Sequence, residues 1–255
     1  NGRVVIVNNT RSGRSKRFNE QDGLFTLCEE GFAGGETIRK FTVNAAVSQA
    51  LPAADHWQQI LAYSRNPEVT TVVSNTTEVG ITLQKDDDLK ADPPQSFPGK
   101  LTAFLHERFT TLRGSPDSGM LILPTELILD NGSKLKEIVL ELAVTNGLGS
   151  DFTDWINQHC IFCNTLVDRI IPGEPDEEKY QKIEKELGYE DQLLTISEVY
   201  RLFAVEGPKE KLLEKAPWLD ADEGIIISDD ITLYRERKLR ILNGGHTISV
   251  SAGFL

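Results

Sequence analysis

Residues 69–78 read Val-Thr-Thr-Val-Val-Ser-Asn-Thr-Thr-Glu, and this stretch decides the predicted fold. Its first half is a run of β-branched side chains, which is typical of a buried strand, and its second half is polar. Apolar strands of the same kind are predicted at residues 3–8 and 119–123. Because helical segments such as residues 99–112 separate these strands, the sequence predicts an α/β fold built on a mostly parallel sheet.

Further elements follow from hydrophobic periodicity and turn signals. Strands are predicted at 24–29, 37–43, 161–168 and 225–227; helices at 47–64, 134–144, 154–158, 176–188 and 234–250; and loops at 11–18 and 85–98. The pair Gly244-Gly245 interrupts the last helical pattern.

Polar side chains gather directly after the predicted strands, at residues 8–10, 74–78 and 124–131. In open α/β sheets, ligands bind outside the carboxyl ends of the strands. We therefore expect a cofactor to contact the polar residues that follow the first two strands: Asn8, Ser74, Asn75 and Thr76.

Charge and cysteine content exclude several classes of protein. The 255 residues carry a net charge of −12, which disfavours binding to nucleic acid, and no apolar run reaches the ~18 residues of a membrane span. Three cysteines are too few for a disulfide framework and indicate a reducing, cytoplasmic compartment. Cys160 and Cys163 form a C-x-x-C pair, for which we expect two small buried residues rather than a redox or metal site.

The first residues are locally basic, with arginines at 3, 11, 14 and 17 and no acid before Glu20. This cluster could bind a cofactor phosphate or could lie in a solvated loop. The motif G-x-G-x-x-G, with which a doubly wound nucleotide fold normally begins, is absent. Since the sequence also lacks an initiator methionine, we expect the first βα unit to precede Asn1 in a longer protein.

Near the end of the chain, Lys238, Asn243 and His246 form the strongest candidate for a catalytic site. At ~100° per residue, Asn243 lies ~140° and His246 ~80° around an α-helix from Lys238. A lysine among apolar side chains is suited to proton transfer near neutral pH, and an asparagine amide can donate to an oxyanion. The alternative is an ordinary helix with a surface lysine and histidine. The intervening apolar residues are expected to pack against a core: Leu239, Ile241 and Leu242.

A second candidate lies at the end of the strand-like segment 161–168. Asp168 and Arg169 could form a structural ion pair, or Asp168 could present its carboxylate to substrate hydroxyls.

These residues also carry a resemblance. The spacing Lys-x4-Asn-x2-His at 238–246 resembles the signature of the mannitol dehydrogenase family, the polyol-specific long-chain dehydrogenases. Residues 164–170 and 74–80 are similar to two further motifs of that family. Several segments are similar to its altronate oxidoreductase (tagaturonate reductase) branch: 21–24, 124–132, 207–209 and 229–247.

The resemblance implies a Rossmann-like domain over 1–228, without its first βα unit, followed at 229–255 by the start of an all-helical substrate domain. It implies an NAD-dependent, metal-free reaction on a sugar acid, with NADP left open because Arg11 and Arg14 follow the first strand. Lys238 would be the general acid/base, Asn243 would bind the reacting oxygen, and His246 and Asp168 would hold substrate hydroxyls. Asn164 and Arg169, in the second motif, are further predicted substrate contacts.

One departure favours the uronate branch: Thr125-Glu126-Leu127 stand where mannitol-type members have Cys-Asp-Asn. Three alternatives remain open. The substrate could be fructuronate, or it could be mannitol or another neutral polyol. The third alternative is an α/β module that binds without turnover. The sequence predicts no nucleic-acid or membrane partner and does not determine the oligomeric state.

Overall fold

The computed structural model describes residues 2–9, 14–77 and 79–253, with the backbone alone at 242, 246 and 251–253. The strands are, in chain order, β1 (Val4–Asn8), β2 (Phe25–Ala33), β3 (Glu36–Asn44), β4 (Val47–Pro52), β5 (Thr71–Ser74), β6 (Leu121–Pro124), β7 (Ile161–Phe162), β8 (Thr165–Asp168), β9 (Thr195–Ser197), β10 (Leu202–Glu206) and β11 (Ile225–Ser228). The helices are α1 (Arg14–Glu20), α2 (Ala53–Ser64), α3 (Phe97–Thr111), α4 (Asn131–Thr145), α5 (Ser150–His159), α6 (Glu177–Leu187), α7 (Lys209–Lys215), α8 (Thr232–Arg237) and α9 (Gly244–Gly253). A π-helix, Lys238–Asn243, joins α8 to α9 without a break.

The chain divides into two compact units. The first contains the chain up to Tyr63 together with Asp168–Arg201, and the second contains Ser64–Val167 together with the chain from Leu202 onward. Each unit has its own buried apolar cluster.

The second unit is built around the strand that the sequence predicted at 119–123. Strand β6 lies between β5 and β7, and both neighbours pair with it in parallel. Met120 and Ile122 pack into the cluster formed with α3, α4 and α5, whereas Leu121 and Leu123 pack into the cluster formed with α7, β10 and β11. Because alternate side chains of a strand point to opposite faces, β6 is buried on both sides, which explains its unbroken apolar run.

The first unit contains one parallel pair, β1 with β4, and one three-stranded sheet in the order β3-β2-β9. Strands β2 and β3 form an antiparallel hairpin that turns at Gly34 and Gly35, both with positive φ, as a two-residue hairpin turn requires. Cys28, Ile183, Leu194 and Ile196 form its buried cluster. The predicted Rossmann-like fold with mostly parallel pairing is confirmed, and the β2–β3 hairpin is an antiparallel addition to it.

Two predictions for the first 64 residues are wrong. The predicted helix at 47–64 is strand β4 followed by helix α2, because Val47, Ala50 and Leu51 are buried and pair with β1. The predicted loop at 11–18 contains helix α1 from residue 14, and Phe18 there packs edge-on against Phe25, with ring centroids 5.8 Å apart. Residues 10–13 lie outside the described part of the chain.

Two other differences concern later segments. The sequence suggested no element between 189 and 224, where the structure has β9, β10 and α7. The glycine pair at 244–245 does not interrupt the last helix, which continues through it as α9.

Candidate active site

Lys238 lies at the carboxyl end of strand β8. It is the first residue of the π-helix, its side chain is half-buried, and its Nζ donates a hydrogen bond to the backbone oxygen of Val167, 2.8 Å away. The carbonyl therefore holds the lysine amine at the edge of the sheet where ligands of α/β proteins bind.

The π-helix changes the angular relation between Lys238 and Asn243. In an α-helix these residues would be ~140° apart, but the i to i+5 hydrogen bonding of a π-helix places the fifth residue about one turn further along the same face. Lys238 and Asn243 are the first and last residues of this segment, and the amide of Gly244 donates to Leu239 five residues earlier. The π-helical hydrogen bonding thus turns the backbone positions of Lys238 and Asn243 closer to one face than an α-helix would.

The apolar residues of the same segment do not pack as predicted. The side chains of Leu239 and Ile241 are 52% and 73% exposed, so the expectation that they contact a core is wrong for this chain. Asn243 is also exposed. The side chains of Leu242 and His246 lie outside the described part.

The turn after β5 is organised by a buried acid, Glu126. Its carboxylate accepts hydrogen bonds from Ser74 Oγ (3.1 Å), from the backbone N of Thr76 (2.9 Å) and from Thr76 Oγ1 (2.8 Å). The hydroxyls of Ser74 and Thr76, two residues that we predicted to contact a cofactor, are therefore directed to Glu126, and Asn75 between them is exposed. This role was not predicted from the sequence, although an acid two residues after the central buried strand was its signal.

Two asparagines connect β8 to its neighbours. The amide of buried Asn131 donates to the backbone oxygens of Pro124, Glu126 and Thr165. Asn164 Oδ1 accepts from Ser133 N, at the start of α4, and its Nδ2 donates to Glu206. Both polar groups of the Asn164 side chain therefore bind within the protein, which makes it a residue that positions β8.

Arg169 forms an ion pair, and its partner is Glu29. Its Nη2 lies 2.7 Å from Glu29 Oε1, and both Nε and Nη2 donate to the backbone oxygen of Glu198. Asp168, at the end of β8, lies near Tyr200, and its negative charge acts on the Tyr200 phenol. Burial first, and then the charges of Asp168 and Glu198, raise the pKa of Tyr200.

The basic cluster at the start of the chain is also paired. Arg14 and Arg17, both in α1, lie 3.8 Å and 3.2 Å from Glu174 Oε1. Asn8 ends β1, beside Pro52 of β4. The other arginine of the cluster that bears on cofactor choice, Arg11, lies outside the described part.

Comparison with known proteins decides the family. The family model described as the mannitol dehydrogenase Rossmann domain matches residues 3–219. The chain belongs to this family. Its relatives include altronate oxidoreductases from Bacillus subtilis, 38% identical over 255 residues, and from Pectobacterium atrosepticum, 41% identical over 253 residues. The matches cover 100% and 99% of this chain but 53% and 51% of the relatives, so the chain spans about half the length of these curated relatives.

Solved structures agree on the fold. A substrate-free D-sorbitol dehydrogenase superposes with a TM-score of 0.74 at 24% identity, covering 96% of this chain and 51% of the other. Pseudomonas fluorescens mannitol 2-dehydrogenase, solved with NAD and D-mannitol, superposes with a TM-score of 0.71 at 23% identity, covering 94% and 49%.

In this member of the mannitol dehydrogenase Rossmann family, the C-x-x-C pair lies in the interior. Burial is the main cause that raises the pKa of Cys160 to about 11 and that of Cys163 to about 12, so both are thiols at neutral pH. They belong to different apolar clusters, on opposite faces of the sheet, as expected of two small buried residues. Within residues 2–9, 14–77 and 79–253, no group of three or more His, Cys, Asp or Glu could hold a metal ion. None of the helices in these ranges is long and apolar enough to cross a bilayer.

Proposed function

We propose that the protein is an NAD-dependent oxidoreductase that interconverts tagaturonate and altronate in hexuronate breakdown in the cytoplasm. The observation that carries the proposal is the placement of Lys238, whose amine is held at the carboxyl end of β8 and which shares one π-helical turn with Asn243. The choice of substrate is supported by the altronate oxidoreductases, which are similar to this chain over its whole length.

The chain's residues would move the proton of this reaction. In reduction, the Lys238 ammonium gives a proton to the oxygen of the forming carbinol, and in oxidation the neutral amine removes that proton. The Asn243 amide donates to the same oxygen, which stabilises its developing charge. We propose that His246 and Asp168 bind substrate hydroxyls. Asn164, which precedes β8, and Arg169, which follows it, would hold this strand in position. When bound, NAD supplies the redox step by exchanging a hydride with the reacting carbon.

The described residues fit part of an NAD site. In the second unit, Asn75 follows β5, where it would bind a ribose hydroxyl or the nicotinamide amide, and Ser74 and Thr76 hold this turn in place through Glu126. In the first unit, Asn8 follows β1 and is a further proposed cofactor contact. No G-x-G-x-x-G is present in the 255 residues to hold the diphosphate.

NAD is favoured over NADP by the pairing in α1. A 2′-phosphate is accommodated by a nearby arginine, but Arg14 and Arg17 both lie against Glu174, which offsets their charge. We also propose that a cofactor domain ends at residue 228 and that a helical substrate domain begins at residue 229.

The first experiment measures oxidation of NADH by the complete protein with tagaturonate. We expect Lys238→Ala to lower kcat by about 10²–10⁴-fold, the range typical of general acid–base catalysis. Added primary amines should partly restore its rate, because they replace the missing proton donor. The matched control is Lys134→Ala, which removes an exposed lysine at the start of α4 and should leave the rate unchanged.

The outcome that contradicts the proposal is a complete, folded protein that oxidises no NADH with tagaturonate. A side-by-side panel with fructuronate and a neutral ketose identifies the alternatives within the family. Cofactor binding in calorimetry without turnover of any of these substrates would instead support a binding module.

A further inference from the structure

Arg235 lies one helical turn before Lys238, and residues three apart are neighbours on a helix surface. Its side chain is only 19% exposed, whereas Arg237 is exposed and the side chain of Arg240 is 80% exposed and paired with Glu236. Of these three arginines, Arg235 alone is covered by the protein.

The contact of Arg235 places its guanidinium at the start of helix α4. Its Nη2 lies 3.3 Å from Asp130 Oδ1, and Asp130 directly precedes helix α4. The next residue, Asn131, donates to the backbone oxygen of Thr165 in β8. The side chain of Arg235 therefore contacts the start of α4, and that of Lys238 contacts the end of β8. Asn131 joins α4 to β8 through its hydrogen bond to Thr165.

The donors of Arg235 are only partly used. In the described part of the chain, its side chain makes a single hydrogen bond, the one to Asp130. A guanidinium binds a carboxylate best through two parallel N–H groups. Asp130 is 55% exposed, so water screens the attraction between its carboxylate and the guanidinium. Asp230, whose pKa is lowered mainly by hydrogen bonds from Thr232 and also by the charge of Arg235, is exposed as well.

Resting on the proposed function, we propose that Arg235 binds the carboxylate of the substrate and thereby sets the preference for a sugar acid over a neutral polyol. The ammonium of Lys238 and the guanidinium of Arg235 then bind different parts of one substrate, the reacting oxygen and the terminal carboxylate. Asp130 is the positioning residue that orients the guanidinium in the absence of substrate.

The test compares two ligands that differ only at the carboxylate. The complete protein, saturated with NADH so that altronate is not oxidised, is titrated calorimetrically with altronate and with altritol, in which a CH2OH group replaces the carboxylate. For Arg235→Gln we expect altronate to bind about 10- to 100-fold more weakly, as for a lost charged hydrogen bond, with altritol binding changed by less than about twofold. Arg235→Lys should be intermediate because it keeps the charge but loses the two-bond geometry. The matched control, Arg240→Gln, should change neither.

The outcomes separate this proposal from the one on which it rests. Equal weakening of both ligands by Arg235→Gln, or no weakening of either, would overturn the role of Arg235 and assign it to docking of α8. If Arg235→Gln fails to fold, Arg235→Lys carries the test, with a selective loss of altronate binding as the expected result. A wild-type protein that binds neither ligand contradicts the proposed function itself.

Discussion

Glu126 lies next to the central strand and is 3% exposed, so its three hydrogen bonds are formed away from bulk water. A carboxylate that accepts this many bonds fixes the turn after β5, where one strand of the sheet ends. Glu126 therefore positions the exposed Asn75 indirectly, by binding the residues on either side of it, Ser74 and Thr76.

We expect Glu126→Ala to lower the free energy of unfolding by about 2–4 kcal/mol, because the buried hydroxyl of Ser74 and the partly buried backbone N and hydroxyl of Thr76 would lose the carboxylate that accepts their hydrogen bonds. Glu126→Gln, which keeps one acceptor oxygen, should cost less. Glu137→Ala removes an exposed acid of α4 and should change stability by no more than about 0.5 kcal/mol. Urea unfolding measures all three. Equal losses for Glu126→Ala and Glu137→Ala would show that the buried bonds contribute nothing.

Helix α4 begins against the connection between β7 and β8, and glycine is required there for space. A Cβ on Gly132 would lie 2.2 Å from the backbone oxygen of Cys163 and 2.8 Å from the backbone N of Asn164. This close approach allows Ser133 N to donate to Asn164 Oδ1. The start of α4, and with it Asp130, is therefore placed by backbone contact.

The same substitution should have opposite effects at two helical glycines. Gly132→Ala should destabilise the protein by about 1–3 kcal/mol, since the added carbon forces the backbone apart. Gly245→Ala, where a Cβ meets nothing within 4 Å, should stabilise it by about 0.5–1 kcal/mol through the lower entropy of the unfolded chain. Guanidinium unfolding of both variants measures the two signs. A stabilised Gly132→Ala protein would contradict the close approach.

The local sequence pattern was not sufficient to predict the boundaries of every helix and strand. Residues 47–64 contain apolar side chains at helical spacing, yet the first six form β4 because they complete a parallel pair with β1, more than 40 residues away along the chain. By contrast, α3 was predicted at 99–112 and is found at Phe97–Thr111, because its N-terminal signals are local: Ser96 caps the helix and Pro98 lies in its first turn.

At the scale of the whole molecule, two buried thiols link stability to pH. Their pKa is raised from 9.0 to about 11 for Cys160 and about 12 for Cys163, chiefly by burial. Between pH 9 and these values the folded protein holds protons that the unfolded chain has lost. The stabilisation is therefore fully present below pH 9 and is lost as pH rises through this window.

We expect the free energy of unfolding to fall between about pH 9 and about pH 11, by up to about 1.4 kcal/mol per thiol per pH unit. The double variant Cys160→Ala/Cys163→Ala should show a shallower decline than the wild type. Urea unfolding at several pH values makes the comparison. Parallel declines would mean that other groups with a raised pKa, such as Cys28, Tyr180 and Tyr200, account for the alkaline loss.

The sequence by itself determined the α/β class, the buried strands, the family and the short list of residues at the end of the chain, because apolar periodicity and motif spacing are local properties. Only the tertiary structure decided that β4 is a strand, that Glu126 holds the turn after β5, that Arg235 contacts the start of α4, and that Lys238 contacts the end of β8. It also decided the π-helical hydrogen bonding of residues 238–243. These features depend on pairing and close approach between distant segments, and such contacts leave no periodic pattern in the chain.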